Sequence, residues 1–370
     1  MESEFIVPWQ SGEMLVLSDA SGGWEATRTD DPMEVCYSVF QSFDMVWPTA
    51  PVDFLVVFMR KPLFTWLGGV YCPISNDVDG IGYDNYAGYD DFDGSPQSAL
   101  QGVIVLNMAP GFLGNEREAY VQAVFDQELM HRWGAFVQAD GGGANRLLGR
   151  GFSHWSFWLS TPNSPMEGND WVDNGDGSFT SNADTPPTFS ELDLYLMGVL
   201  AADEVAPLTL LTPTPAEEQA YGYDESSTPL WESGRSLDVS VGSATVTVDD
   251  IVRAEGRRSP DSTSSPRDFR ALFAVLNLSD ETFDVDDLAH YDALRVSLAS
   301  GFEDHARGLV TLDTTLGTSH DLPCWSGTPD ACPQATLPPE ETGCGCGSPA
   351  PPSTFAALLA LLATRRRRGH

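Results

Sequence analysis

The segment Gln127-Glu128-Leu129-Met130-His131 carries the residue types from which chemistry could be built. On a helix, residues four apart share a face, so Gln127 and His131 point the same way and Glu128 flanks them. A carboxylate so placed can take a proton from an attacking water, and an imidazole can hold a metal ion. The next histidine is His154, in the aromatic run Gly151-Phe152-Ser153-His154-Trp155, and it is the candidate for a further ligand. Two downstream carboxylates compete with it, Glu191 and Asp193, although Ser190 and Asp193 also have the spacing of a capping box.

These residues need elements to position them. Glu116 to Val137 repeats its apolar residues at helical spacing, with Val121, Val124, Phe125, Leu129, Trp133 and Phe136 on one stripe. Before it, Asp53–Phe58 and Leu100–Met108 read as buried strands, and Val35–Phe40 as a further strand. Residues 75–98 form a long Gly/Asp loop. A second helix is expected over about Ser190–Leu200, strands at 246–252 and 267–278, and a terminal helix over Asp286–Phe302. Helices and strands in this order make an α+β fold.

The motif matches HExxH metallopeptidases at Glu128 and His131, and departs from them at Gln127, where the first histidine would stand. In that family the two histidines bind zinc and the glutamate is the general base. The chain resembles a group of secreted bacterial zincin-like proteins in which an HExxHRW helix precedes an HWS motif, a DNGDG turn and an LDLYLMG helix. The matching residues here are Glu128–Trp133, His154–Ser156, Asp173–Gly177 and Leu192–Gly198. The resemblance implies a mixed sheet with a long active-site helix, followed by a smaller β-rich C-terminal part. It implies Glu128 as general base, His131 and His154 as zinc ligands and Gln127 as a degenerate ligand position. A neutral amide oxygen is a poor zinc ligand beside imidazole, so weak or lost peptidase activity is expected. The substrate would be a protein or peptide. The alternative is a non-catalytic surface adhesion or binding protein that keeps the scaffold.

The C-terminus resembles the MYXO-CTERM sorting tail of myxobacterial surface proteins: Cys344 and Cys346, an apolar run from Phe355 to Ala363, then Arg365–Arg368. That implies export, cell-surface location and engagement of a sorting and processing machinery. The N-terminus shows no basic or apolar leader, so the signal peptide is read as missing from this chain. The expected organisation is a zincin-like domain over 1–205, a C-terminal α/β part of the same unit over 206–318, a Pro/Gly-rich linker over 319–343 and the tail over 344–370. Cys36 with Cys72, and Cys324 with Cys332, are candidate disulfides in an oxidising compartment.

Composition excludes other classes. Asp and Glu number 54 against 19 Lys and Arg, for a formal charge of -35, so nucleic acid is not a partner. No GxSxG, phosphate-binding loop or dinucleotide fingerprint occurs. Two acid-rich loops offer calcium as a second metal, through Asp77, Asp79 and Asp84 in the first and Asp173 and Asp176 in the second.

Overall fold

The computed structural model describes residues 7–19, 22–27, 31–62, 64, 68–85, 98–107, 115–139, 146–162, 164–182, 187–278 and 285–316. Residues 1–332 cluster as one unit and 333–370 as another. The linker, the tail, Cys324, Cys332, Cys344 and Cys346 lie outside the described residues.

In chain order the first half comprises β1 (Val7–Ser11), β2 (Met14–Ser18), α1 (Gly23–Thr27), α2 (Pro32–Val46), β3 (Phe54–Met59), β4 (Gly69–Pro73), β5 (Gly102–Leu106) and α3 (Asn115–Met130). Then come β6 (Trp155–Ser160), β7 (Glu167–Asn169), β8 (Trp171–Asp173), β9 (Phe179–Ser181), α4 (Glu191–Met197), β10 (Leu208–Thr212) and α5 (Pro215–Tyr221). The last elements are β11 (Asp238–Val239), β12 (Gly242–Val246), α6 (Val248–Glu255), β13 (Asp268–Asn277), α7 (Val285–His305) and β14 (Thr311–Asp313). The class is α+β.

The main sheet runs β1-β2-β13-β3-β5-β4, with β14 also paired to β13. The late strand β13 thus sits at its centre, parallel to both β2 and β3. The edge strand β4 is antiparallel to β5. Side chains of β3 alternate between the two faces, as the period of two demands. Phe54, Val56 and Phe58 join one apolar cluster, and Leu55, Val57 and Met59 the other. The first cluster also takes Phe125, Leu129 and Met130 of α3, and the second takes Val35, Val39 and Phe40 of α2. Each such burial is worth roughly 1.5–3 kcal/mol, which holds α3 on the sheet. Two smaller sheets, β12-β10-β6-β7 and β11-β9-β8, carry the middle of the chain.

Three expectations need correction. Val35–Phe40 is not a strand but part of α2, because Val35, Cys36, Val39, Phe40 and Phe43 recur on one helical face, and Asp31 caps the N-terminus by accepting from the Met33 N–H. The stretch 246–252 is a strand only to Val246. Thr247 and Asp250 then form a capping box and start α6. The motif helix ends at Met130 rather than Val137, and the chain turns through His131–Trp133. His131 still donates its backbone N–H to Gln127 O at 3.1 Å, so the four-residue relation between the two survives. Among the described residues no helix is long and apolar enough to cross a membrane.

Cys36 and Cys72 form a disulfide joining α2 to β4 across a sequence separation of 36. Closing a loop of that length restrains the unfolded chain by about 4 kcal/mol. Chemical unfolding of the protein with and without reductant should therefore differ by an amount of that order, with the Cys36→Ser/Cys72→Ser variant matching the reduced protein. Coincident curves would mean the bridge contributes nothing.

Candidate functional site

The last turn of α3, the edge strand β4 and the segment leading into β6 enclose a cavity of about 240 Å³. Gln127, Glu128 and His131 line it from α3, as their shared helical face requires. Gly68, Gly69, Val70 and Tyr71 form one wall, Arg150, Ser153 and His154 another, and Tyr120, Trp231 and Glu232 complete the rim. Gly69 lets α3 approach. A Cβ there would stand 2.8 Å from Glu128 Cγ and 2.9 Å from Val124 Cγ1, closer than real Cβ contacts allow.

The structure brings His131 and His154 together, with ring centroids 5.0 Å apart and planes nearly perpendicular. Both rings are buried, and each faces a backbone carbonyl through Nδ1. His131 Nδ1 is 3.2 Å from Gly134 O, and His154 Nδ1 is 2.9 Å from Arg150 O. A carbonyl only accepts, so each Nδ1 carries the proton and each Nε2 carries the lone pair. The turn at Gly134 supplies the first of these carbonyls.

Other expected residues go elsewhere. Glu191 Oε2 accepts from the Ala206 N–H at 2.9 Å. Asp193 is buried, accepts from Ser190 N and Oγ as a cap, and takes the indole N–H of Trp155 at 2.9 Å. Neither is among the residues that line the cavity with Gln127, Glu128, His131 and His154. Asp193 instead anchors the residue that follows His154. The turn Asp173–Gly177 links β8 to β9, and Asp173 and Asp176 close it on the N–H groups of Gly175 and Ser178. Asp77 accepts from Arg132 Nη2 at 3.0 Å, Asp79 pairs through its backbone with Ser259, and Asp84 lies in a short 3-10 turn. Of these, Asp173 and Asp176 show the Asp turn pattern, each accepting from the N–H two residues on. Among the described residues no three His, Cys, Asp or Glu side chains stand close enough, as placed, to hold a metal ion.

Sequence reasoning missed Arg150, Glu167 and Glu232. Parallel pairing of β6 with β7 sets Glu167 opposite Trp155, and Glu167 Oε1 lies 3.9 Å from His154 Nε2. Arg150 Nε donates to that same Oε1 at 3.0 Å; Nη2 also donates to Oε1 and lies 3.1 Å from His154 Nε2. Gln127 Nε2 donates to Pro165 O at 2.9 Å, so the amide is anchored at the cavity edge.

Burial dominates the electrostatics. It pushes the Glu128 carboxyl up to about 8, against the opposing pull of Arg150 and the Tyr71 backbone N–H. Burial raises Glu167 to about 7, again opposed by Arg150, and raises Glu232. His131 is lowered to about 4 by burial, and His154 falls well below the usual imidazole value through burial and then the charges of His131 and Arg150. The imidazoles are therefore neutral at pH 7, as metal ligands must be.

These shifts have opposite consequences for stability. Glu128 folds preferentially protonated, so its contribution is fully present below its unfolded value of 4.5 and is lost as pH rises toward about 8. His131 folds preferentially neutral, so its contribution is present above 6.5 and is lost as pH falls toward about 4. In chelator-treated protein, Glu128→Gln should match the parent in stability near the acid end and exceed it increasingly up to about pH 8. Denaturant midpoints across that range measure the difference, and a pH-independent offset would contradict the assignment. Comparison with family models, curated proteins and solved structures finds no match to this chain.

Proposed function

We propose that this chain is an exported, surface-sorted zincin-like protein, a metallopeptidase relative whose hold on zinc is weakened by Gln127. The observation that carries the reading is the pair of neutral imidazoles, His131 and His154. Each is fixed by a backbone carbonyl at Nδ1, and they lie together in one cavity with Glu128. Carbonyl-held Nδ1–H groups are the usual outer partners of metal-bound histidines, and they leave Nε2 for the metal. The donor set would hold zinc through His131 and His154, and Gln127 lines the same cavity.

When bound, zinc would supply a Lewis acid that polarises a peptide carbonyl and a positive charge that favours ionised Glu128. Glu128 would then take the proton of the attacking water and return it to the leaving amine. The burial that lifts its carboxyl to about 8 fits it for carrying a proton near neutral pH. Tyr71 and Gly69 lie on β4, which ends the main sheet, and an extended peptide could lie along such an edge by backbone hydrogen bonds. That supports a protein or peptide substrate. The Cys36–Cys72 bridge fits export to an oxidising compartment. A second reading, a non-catalytic surface adhesion or binding protein on the same scaffold, is favoured by the bond from the Gln127 amide to Pro165 O, a purely structural use of the ligand position.

Gln127→His separates the two. The variant dialysed against zinc should retain close to one ion per chain by elemental analysis, and the parent much less. Casein hydrolysis should rise with it and vanish on adding Glu128→Gln. Zinc in neither protein would overturn the metallopeptidase reading and leave the binding scaffold.

A further inference from the structure

Arg150 takes up the lone pairs on which a cation would sit. Its Nη2 lies 3.1 Å from His154 Nε2, and its Nε and Nη2 both donate to Glu167 Oε1. A guanidinium usually meets a carboxylate as a fork, one N–H to each oxygen. Here both go to one oxygen, and Glu167 Oε2 is buried with no hydrogen-bond partner among the described residues. Glu167 is 1% exposed, its φ of 74° lies in the left-handed region that side chains avoid, and Gly168 follows with φ 75°. A Cβ at Gly168 would stand 2.0 Å from Thr161 Oγ1, so the backbone at this bend is closely fixed.

On the metal-site reading proposed above, we infer that Arg150 is an internal stand-in for a divalent cation. The cation enters by displacing the guanidinium, and takes Glu167 as a protein ligand beside His131 and His154. Exposure marks the mobile member: the Arg150 side chain is 46% exposed, against 9% for His154 and 1% for Glu167. The guanidinium can swing into water while the donors stay buried. His154 Nε2 and Glu167 Oε1 are 3.9 Å apart. Two ligands of one tetrahedral zinc, at bonds near 2 Å, stand about 3.3 Å apart. Hydrogen bonds longer than coordination bonds hold the donors too wide for a metal, so no ready-made trio is found among the described residues. Removal of the guanidinium lets them close. The exchange also sets two positive charges in place of one beside Glu128, Glu167 and Glu232.

Zinc affinity of the chelator-treated full chain, measured by competition with a chromogenic chelator, tests this in the parent, Arg150→Met, Glu167→Gln and the double variant. Arg150→Met should bind zinc at least about tenfold more tightly than the parent, or about 1.4 kcal/mol. Adding Glu167→Gln should remove that gain. Unchanged or weaker binding by a folded Arg150→Met overturns the displacement, and a double variant as tight as Arg150→Met overturns Glu167 as ligand. Should Arg150→Met fail to fold, the parent labelled with 15N-arginine answers the same question. Saturating zinc should move the Arg150 Nε–H resonance to that of a solvated guanidinium, and an unmoved resonance with zinc bound overturns the proposal. Gln127→His provides the separate control. Zinc bound by Gln127→His with no effect of Arg150→Met sinks only this inference, whereas zinc bound by none of the variants sinks the metal site itself and the inference with it.

Discussion

Val124 and Glu128 of α3 lie so close against Gly69 of β4 that a Cβ at position 69 would force one of them to shift. The rest of the site depends on this close approach. It seats the last turn of α3 over the sheet edge, so that Glu128, His131 and the buried Leu129 and Met130 leave water together. It also makes β4 a wall of the cavity. The disulfide to α2 ties the same strand down from the opposite face of the sheet. Glu128 in the last turn of the helix and His131 just past its end are desolvated together, which raises the carboxyl and lowers the imidazole.

Around that seat, buried polar side chains fix the loops that apolar packing cannot. Arg132, just past the end of α3, donates to Gln101 and Asp77 and accepts through its carbonyl from Asn76, binding the Gly/Asp loop to the helix end. Asp126 on α3 meets His305 on α7 at 2.6 Å. Arg258 donates to the carbonyls of Leu196 and Met197, so the end of α4 is capped from 62 and 61 residues away. Asp193 does two tasks at once, starting α4 and holding Trp155. Through Trp155 it fixes the start of β6, and with it His154. Charge-assisted bonds of this kind are worth more inside the protein than in water, but only while every partner stays in place.

The cavity also concentrates the charge imbalance of the whole molecule. Glu128, Glu167 and Glu232 surround one guanidinium in a chain of formal charge -35. Desolvation resists ionisation of the carboxyls, and Arg150 opposes it at all three. A positive charge entering this space gains from every one of these groups, whereas an anion would meet them all.

Periodicity and local chemistry in the sequence determined a good part of this. The apolar runs of β3, β5 and β13, the helical stripe of α3 and the capping box of α4 each depend on neighbours within a few residues. The shared face of Gln127, Glu128 and His131 follows from helical geometry alone. Short-range signals also misled, where the helical spacing in Val35–Phe43 and the cap at Thr247 outweighed a β-branched run. What only the tertiary structure decided are the relations across long separations. The pairing of β6 with β7 carries Glu167 to His154, and the segment Leu230–Ser233 folds back to bring Glu232 to α3. The central position of β13 and the bond from the Trp155 indole to Asp193 belong to the same class. None of these leaves a mark in the residues nearby, because each is set by which surfaces bury against one another and which buried polar groups must then find partners.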